Sequence, residues 1–215
     1  CAHLPAPPLL RGMVAVDGGP LARAHVSVRD SQGTQRVVQA DTQGHYTLDA
    51  AGLVAPLAIA ATRERHGNCR YHHLPRSTCL TALVPTLAAG DNRAHINPLT
   101  DWVVSEVATA LHFTGPQQLA EAAHIPAIPA PVYAQALVQL RAGFGAALAH
   151  AGVADTGHFD PVTSDMQADG KGVNAVLAVL NHTRGYDNAS GEASGAILTD
   201  TAWRPIAPPF GPTAN

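Results

Sequence analysis

The densest group of side chains able to do chemistry lies between residues 63 and 79. Arg63, Arg65, Arg70 and Arg76 are interspersed there with His66, His72 and His73, Glu64 is the one acid among them, and Cys69 and Cys79 bracket the second part of the stretch. Guanidinium groups grip phosphate and carboxylate oxygens two at a time. The segment therefore reads as a binding loop for a glycan or an anionic ligand such as phosphate or lipopolysaccharide, beside the plainer reading of a solvated surface loop. Imidazoles also ligate zinc and copper. The twelve histidines are scattered, however, no His-Glu-x-x-His occurs, and the adjacent pair His72 and His73 points to opposite sides of an extended backbone. Neither a metal site nor a cofactor is expected.

Other catalytic patterns are missing from the sequence. There is no Gly-x-Ser-x-Gly, and Ser190-Gly-Glu-Ala-Ser194 lacks the flanks of a nucleophile elbow. No phosphate-binding or dinucleotide-binding glycine motif is present. Asp165, Asp169 and Gly170 match part of a calcium loop, but the aspartate spacing and the distal Glu are missing, and Asp169 is better explained as a cap on a helix starting near Val173. Of the four glutamates, Glu106 and Glu121 fall on helices and are expected to be solvated. The reading is of a non-enzyme with no catalytic residue. With net charge -3 and only 13% charged residues, the chain has no basic field to gather nucleic acid. Trp102 is expected in the core, whereas Trp203 and Phe210, in a Pro-rich terminus, are candidate partner contacts that could lie across a neighbouring subunit or a sheet edge.

The cysteines speak to compartment. Bridging Cys69 to Cys79 closes a short loop and constrains the unfolded chain by roughly 2–3 kcal/mol, and such a bridge persists in an oxidising exterior. That leaves Cys1. A chain opening on Cys resembles a mature bacterial lipoprotein, in which the cleaved signal peptide leaves a cysteine that carries lipid. The resemblance implies that Cys1 is lipidated and holds the protein to a membrane, and Ala2 in place of Asp implies the outer one, facing either periplasm or medium. The apolar run Gly52 to Ala61 is too short for a membrane span and is interrupted by Pro56.

The elements that would position these groups divide the chain. Residues 1–10 are a Pro-rich tether. From Arg11 the pattern is of short strands with turn signals at 8–12-residue intervals. Leu10 to Val16 is followed by Asp17-Gly-Gly-Pro20, Ala24 to Val28 ends at Asp30-Ser-Gln-Gly33, and Gln35 to Ala40 leads into Asp41-Thr-Gln-Gly44. His45 to Leu48, Pro56 to Ala60 and Leu80 to Val84 complete the set. The stretch GMVAVDGGPLARAHVSVRDSQGTQRVVQADTQGHYTLDAAG resembles the carboxypeptidase-regulatory-like, or transthyretin-like, domain: G-x-V, a Gly/Pro turn, a central strand, then D-x-x-G-x-Y-x-L. The resemblance implies an antiparallel β-sandwich over residues 11–96, with 63–80 as an inserted disulfide loop, in a family whose domain acts as a folding aid, spacer or interaction module.

At Asn97 the apolar period changes from two to 3.6. Asn97 can cap a helix and Pro98 suits its first position, giving a helix over about 98–112. A short helix over 114–123, a long one from Val132 to His150 and a last one from Val173 to His182 make a small all-α domain over 97–184. An extended Pro-rich tail follows over 185–215, with one possible strand at Ala196 to Thr199. His95-Ile-Asn-Pro-Leu-Thr100 and FDPVTSDMQADGKGVNAVLAVLN at 159–181 resemble a helical region found behind such sandwiches in secreted proteobacterial proteins. This chain has Asn174 where that pattern usually has Asp, which puts any charge contact there in doubt. The expectation is an α+β protein of the cell envelope with a structural or assembly role, as a homo-oligomer or an accessory subunit. An enzyme with an unrecognised site among the helices is the remaining alternative.

Overall fold

A computed structural model of the 215-residue chain describes residues 4–63, 69 and 78–200. Its first part is built of β1 (Leu9–Met13), β2 (Ala15–Val16), β3 (Gly19–Pro20), β4 (His25–Arg29), β5 (Gln35–Gln39), β6 (His45–Asp49), β7 (Leu57–Thr62), β8 (Cys79–Val84) and β9 (Asp91–Arg93). The helices are α1 (Pro98–Ala110), α2 (Pro116–Ala120), α3 (Ala130–His150) and α4 (Gly172–Leu177), with a single 3-10 turn at Thr156–His158 between the last two. The chain then returns as the hairpin β10 (Asn181–Tyr186) and β11 (Ala193–Thr199). The protein is α+β.

The strands form a three-stranded sheet, β6-β1-β9, and a four-stranded one, β5-β4-β7-β8, antiparallel throughout except for β1 beside β9. Alternation decides what each face does. Val26 and Val28 of β4, Tyr46 and Leu48 of β6, and Leu57 and Ile59 of β7 share one apolar cluster with Leu10, so the two sheets are in contact through one core. A second cluster starts on the other face of β7 and β8, at Ala58 and Leu83, and continues through Leu99, Trp102 and Val107 of α1 to Leu140 and Phe144 of α3. Every residue of β8 is buried, because that strand serves both clusters.

The turns are made by aspartates. Asp30, Asp41 and Asp49 each accept a backbone N–H two residues on, and the glycine three residues after each, Gly33, Gly44 and Gly52, has positive φ. Gly12 is needed for a different reason: a Cβ there would overlap the Ala94 carbonyl, so its absence lets the chain leading out of β9 run tightly past β1. Asn97 caps α1 as its position predicts, its Oδ1 accepting from the amides of Leu99 and Thr100 while Thr100 Oγ1 accepts from the amide of Asn97.

Three boundaries differ from those expected. The tether is docked from its middle: Ala6 O and Pro8 O accept from Gly90 and Ala50, and the strand itself begins at Leu9. The helix expected over Val173 to His182 stops at Leu177, and residues 181–199, expected as the end of a helix and the start of an extended tail, form the β10–β11 hairpin against α1. The apolar spacing of Leu177 and Leu180 continues a helical pattern, but tertiary contacts made by the polar run after it override that local preference.

Candidate functional site

Asp101 is fully buried in the first turn of α1, where a negative charge suits the helix dipole. An ionised carboxylate without water needs donors, and five reach it from two strands. Thr81 of β8 donates to Oδ1 from both its amide (2.9 Å) and its hydroxyl (2.7 Å). Arg184 of β10 closes a fork, Nη2 to Oδ1 at 2.6 Å and Nε to Oδ2 at 3.2 Å. His182, two residues earlier on the same strand face, donates from Nε2 to Oδ2 at 2.8 Å. Because a carboxylate only accepts, Nε2 must carry the hydrogen.

The network extends outward. Arg184 Nη1 donates to Gln117 Oε1 in α2 at 2.8 Å, and Gln117 Nε2 donates to Glu121 Oε1 at 2.9 Å. Ser105, one turn along α1, donates to the Asp101 carbonyl and accepts the Ala196 amide of β11, both at 2.8 Å. Gly115 makes room for the hairpin, since a Cβ there would collide with the backbone of Ala193 and Ser194. The carboxylate on α1 thus takes donors from β8 and β10, strands of different sheets, while Gln117 ties in α2 through Arg184 and Ser105 ties in β11.

Burial by itself would raise the Asp101 pKa. The Arg184 charge, followed by the hydrogen bond and charge of His182, outweighs it and holds the group far below the ordinary carboxylate range. An aspartate beside a histidine is the orienting half of many acid–base pairs. Here, though, both carboxylate oxygens are filled by donors and the charge is permanent at physiological pH, so Asp101 is a poor general base. Its chemistry is that of an anchor.

Asn174 is a second anchor. Its Nδ2 donates to the carbonyl of Gly18, in the β2–β3 turn, at 2.7 Å, and its Oδ1 accepts the Gly170 amide at 2.8 Å. An Asp there could make the second bond but not the first. The position holds an amide bridge between the turn ahead of α4 and the β2–β3 turn.

Cys69 and Cys79 are joined as a disulfide. Arg63 is exposed at the end of β7. The other members of the Arg/His loop, Arg65, His66, Arg70, His72, His73 and Arg76, lie outside the described residues, as do Cys1, Trp203 and Phe210. No group of metal-ligating side chains occurs among the described residues, and Asp169, expected as a helix cap, instead accepts the Lys171 amide at 2.9 Å in the turn ahead of α4, whose N-cap is Lys171 and has no side-chain cap bond. Glu106 is partly buried, which pushes its pKa up, and Trp102 is in the core. Sequence reading passed over Asp101, His182 and Arg184. A usable signal existed for Asp101: residues 98–110 are apolar around much of the helix, as in a buried helix, and a carboxylate on such a helix implies a buried cation elsewhere.

No protein-family model, curated protein or solved structure matches this chain.

Proposed function

We propose that the chain is a non-catalytic, extracytoplasmic protein with a structural or assembly role, built on a transthyretin-like β-sandwich to which the helices and the C-terminal hairpin are fastened. The observation that carries this reading is the saturation of Asp101. The constellation most like a catalytic one is spent on joining five elements. The disulfide between Cys69 and Cys79 suits an oxidising compartment. Two sheets with a common apolar cluster, and Tyr46 and Leu48 of the D-x-x-G-x-Y-x-L element both turned into it, agree with the sandwich. Tyr46 also donates to the Ala94 carbonyl at 2.6 Å, which binds the element to the strand beyond it.

Assembly through the sheet is directly testable. Among the described residues β5 pairs with β4 alone and presents an exposed Val37, so its far edge offers unpaired backbone groups. With Lys171 as the one lysine in the chain, amine crosslinkers are unsuitable, and a photoreactive phenylalanine at position 37 is the better probe. The full chain, crosslinked in the envelope of the producing cell and sized in solution, is expected to give a discrete adduct and a species larger than one copy. A strict monomer without adduct from position 37 or from a second probe at Gln39 overturns the reading.

A further inference from the structure

The sheet β6-β1-β9 buries Leu10, Tyr46 and Leu48 on one face, while its other face carries Arg11 of β1, His45 and Thr47 of β6, and Asp91 and Arg93 of β9. The register sets Arg11 beside Thr47 on one side and beside Arg93 on the other. Like charges directly opposite one another on neighbouring strands repel, and among the described residues each guanidinium faces one exposed carboxylate, Asp91 at 3.1 Å from Arg11 Nε and Asp165 at 3.9 Å from Arg93 Nη1, while Arg93 Nη1 also donates to the Thr163 carbonyl at 3.1 Å. Exposed pairs of this kind are worth about 0–1 kcal/mol, so either arginine can exchange its partner at small cost.

These residues line a cleft of about 580 Å³ whose remaining wall is the segment from Thr163 to Gln167 together with His95. His95 is 6% exposed. Its Nδ1 accepts the Met13 amide at 3.1 Å, so in the neutral ring the hydrogen sits on Nε2, which is buried and has no hydrogen-bond partner among the described residues. Burial, with the Arg93 charge second, pushes the imidazole pKa down to about 4, so the ring is neutral at pH 7 and Nε2 is a donor. Asp165 acts in the opposite direction and His45 in the same one. A buried donor without an acceptor costs about 1–3 kcal/mol. One cleft therefore sets two adjacent guanidiniums and the Thr47 hydroxyl around a buried imidazole N–H that has no partner among the described residues, with Asp91 and Asp165 as the carboxylates an anionic ligand would displace.

We propose that this cleft binds a phosphate group, with Arg11 and Arg93 exchanging Asp91 and Asp165 for its oxygens and His95 donating from Nε2. One guanidinium fork fills both oxygens of a carboxylate, whereas a phosphate has oxygens for two forks and an imidazole. The inference stands apart from the assembly role, because it uses a different face of the protein.

The test is a titration of the full chain with sodium phosphate at constant ionic strength and pH 7, read from the His95 imidazole resonances. A saturable shift of the Nε2 signal is expected in the millimolar range or below. The Arg11→Gln/Arg93→Gln variant should weaken the response at least about tenfold, as expected for the loss of two charge-assisted contacts, and Arg11→Gln alone should give an intermediate loss. Sedimentation with phosphatidic acid vesicles against phosphatidylcholine vesicles separates the sources of the group. Binding that is lost in the double variant assigns a membrane-borne phosphate, and a response to free phosphate alone assigns a soluble one. An unmoved His95 signal with no vesicle binding overturns the proposal, as does an equal response in wild type and double variant.

Discussion

Replacing Asp101 by Asn tests the anchor directly. The change keeps the shape of the side chain and removes its charge, leaving the Arg184 guanidinium, 3% exposed at its side chain, without a counter-ion. Breaking a buried ion pair from one side costs about 3–5 kcal/mol. The amide also faces donors whichever way it turns: Thr81 and Arg184 Nη2 surround one oxygen position, and His182 and Arg184 Nε the other. A loss of about 4 kcal/mol is therefore expected, a large share of the ~5–15 kcal/mol that stabilises a typical domain. Arg184→Met should cost less, about 2 kcal/mol, because Thr81 and His182 still solvate the carboxylate. The double variant should be more stable than the sum of the two losses predicts by about 2 kcal/mol, since each single change removes the same pair. Urea unfolding followed by far-UV circular dichroism gives all three values, with an unchanged slope confirming that the folded state is the same. If Asp101→Asn proves too unstable to measure, hydrogen exchange at the β10–β11 amides in Arg184→Met reads the same anchor locally. An Asp101→Asn loss below about 1 kcal/mol, or strict additivity, refutes the reasoning.

Three further outcomes follow from other residues. Asn174→Asp should destabilise by about 2 kcal/mol at pH 7, from the lost donation to the Gly18 carbonyl and the charge brought in, and should recover part of it in acid, where the protonated carboxyl can donate again; a pH-independent loss in thermal melts would contradict this. Wild-type stability should fall between about pH 6.5 and pH 4 by at most ~3 kcal/mol, because the unfolded chain binds a proton that His95, with a folded pKa of about 4 and flanked by Arg93, His45 and Asp165, refuses; His95→Gln should flatten that part of the profile. Removing both bridge cysteines, Cys69→Ser/Cys79→Ser, should lower stability by about 2–3 kcal/mol, and reducing agent should then have no further effect on the melting temperature.

What the sequence revealed and what it concealed divide along the range of the interactions. The strands from Leu9 to Val84 were legible because each is bounded by a local signal: Asp30, Asp41 and Asp49 bond to amides two residues away, and the period-two burial between them needs no distant information. The start of α1 was legible for the same reason, since Asn97, Pro98 and Thr100 form a cap among themselves. The hairpin was not. Asn181 to Tyr186 has weak alternation, and His182 and Arg184 look like ordinary surface residues until Asp101, 81 and 83 positions earlier, is placed beside them. A residue such as Arg184 is fixed by a partner that no local window contains, and the cost of burying either charge alone makes the pairing close to obligatory. Arg11 and Arg93 show the converse. Each is unremarkable in its own strand, and only the parallel register of β1 and β9, which Gly12 permits, sets the two charges abreast. In both cases the chemistry resides in juxtapositions made by strand pairing. The Arg/His loop at 63–79, the most conspicuous cluster when residues are read in order, is conspicuous because it is contiguous; Asp101 with Arg184, and Arg11 with Arg93, are conspicuous only once strand pairing has brought them together.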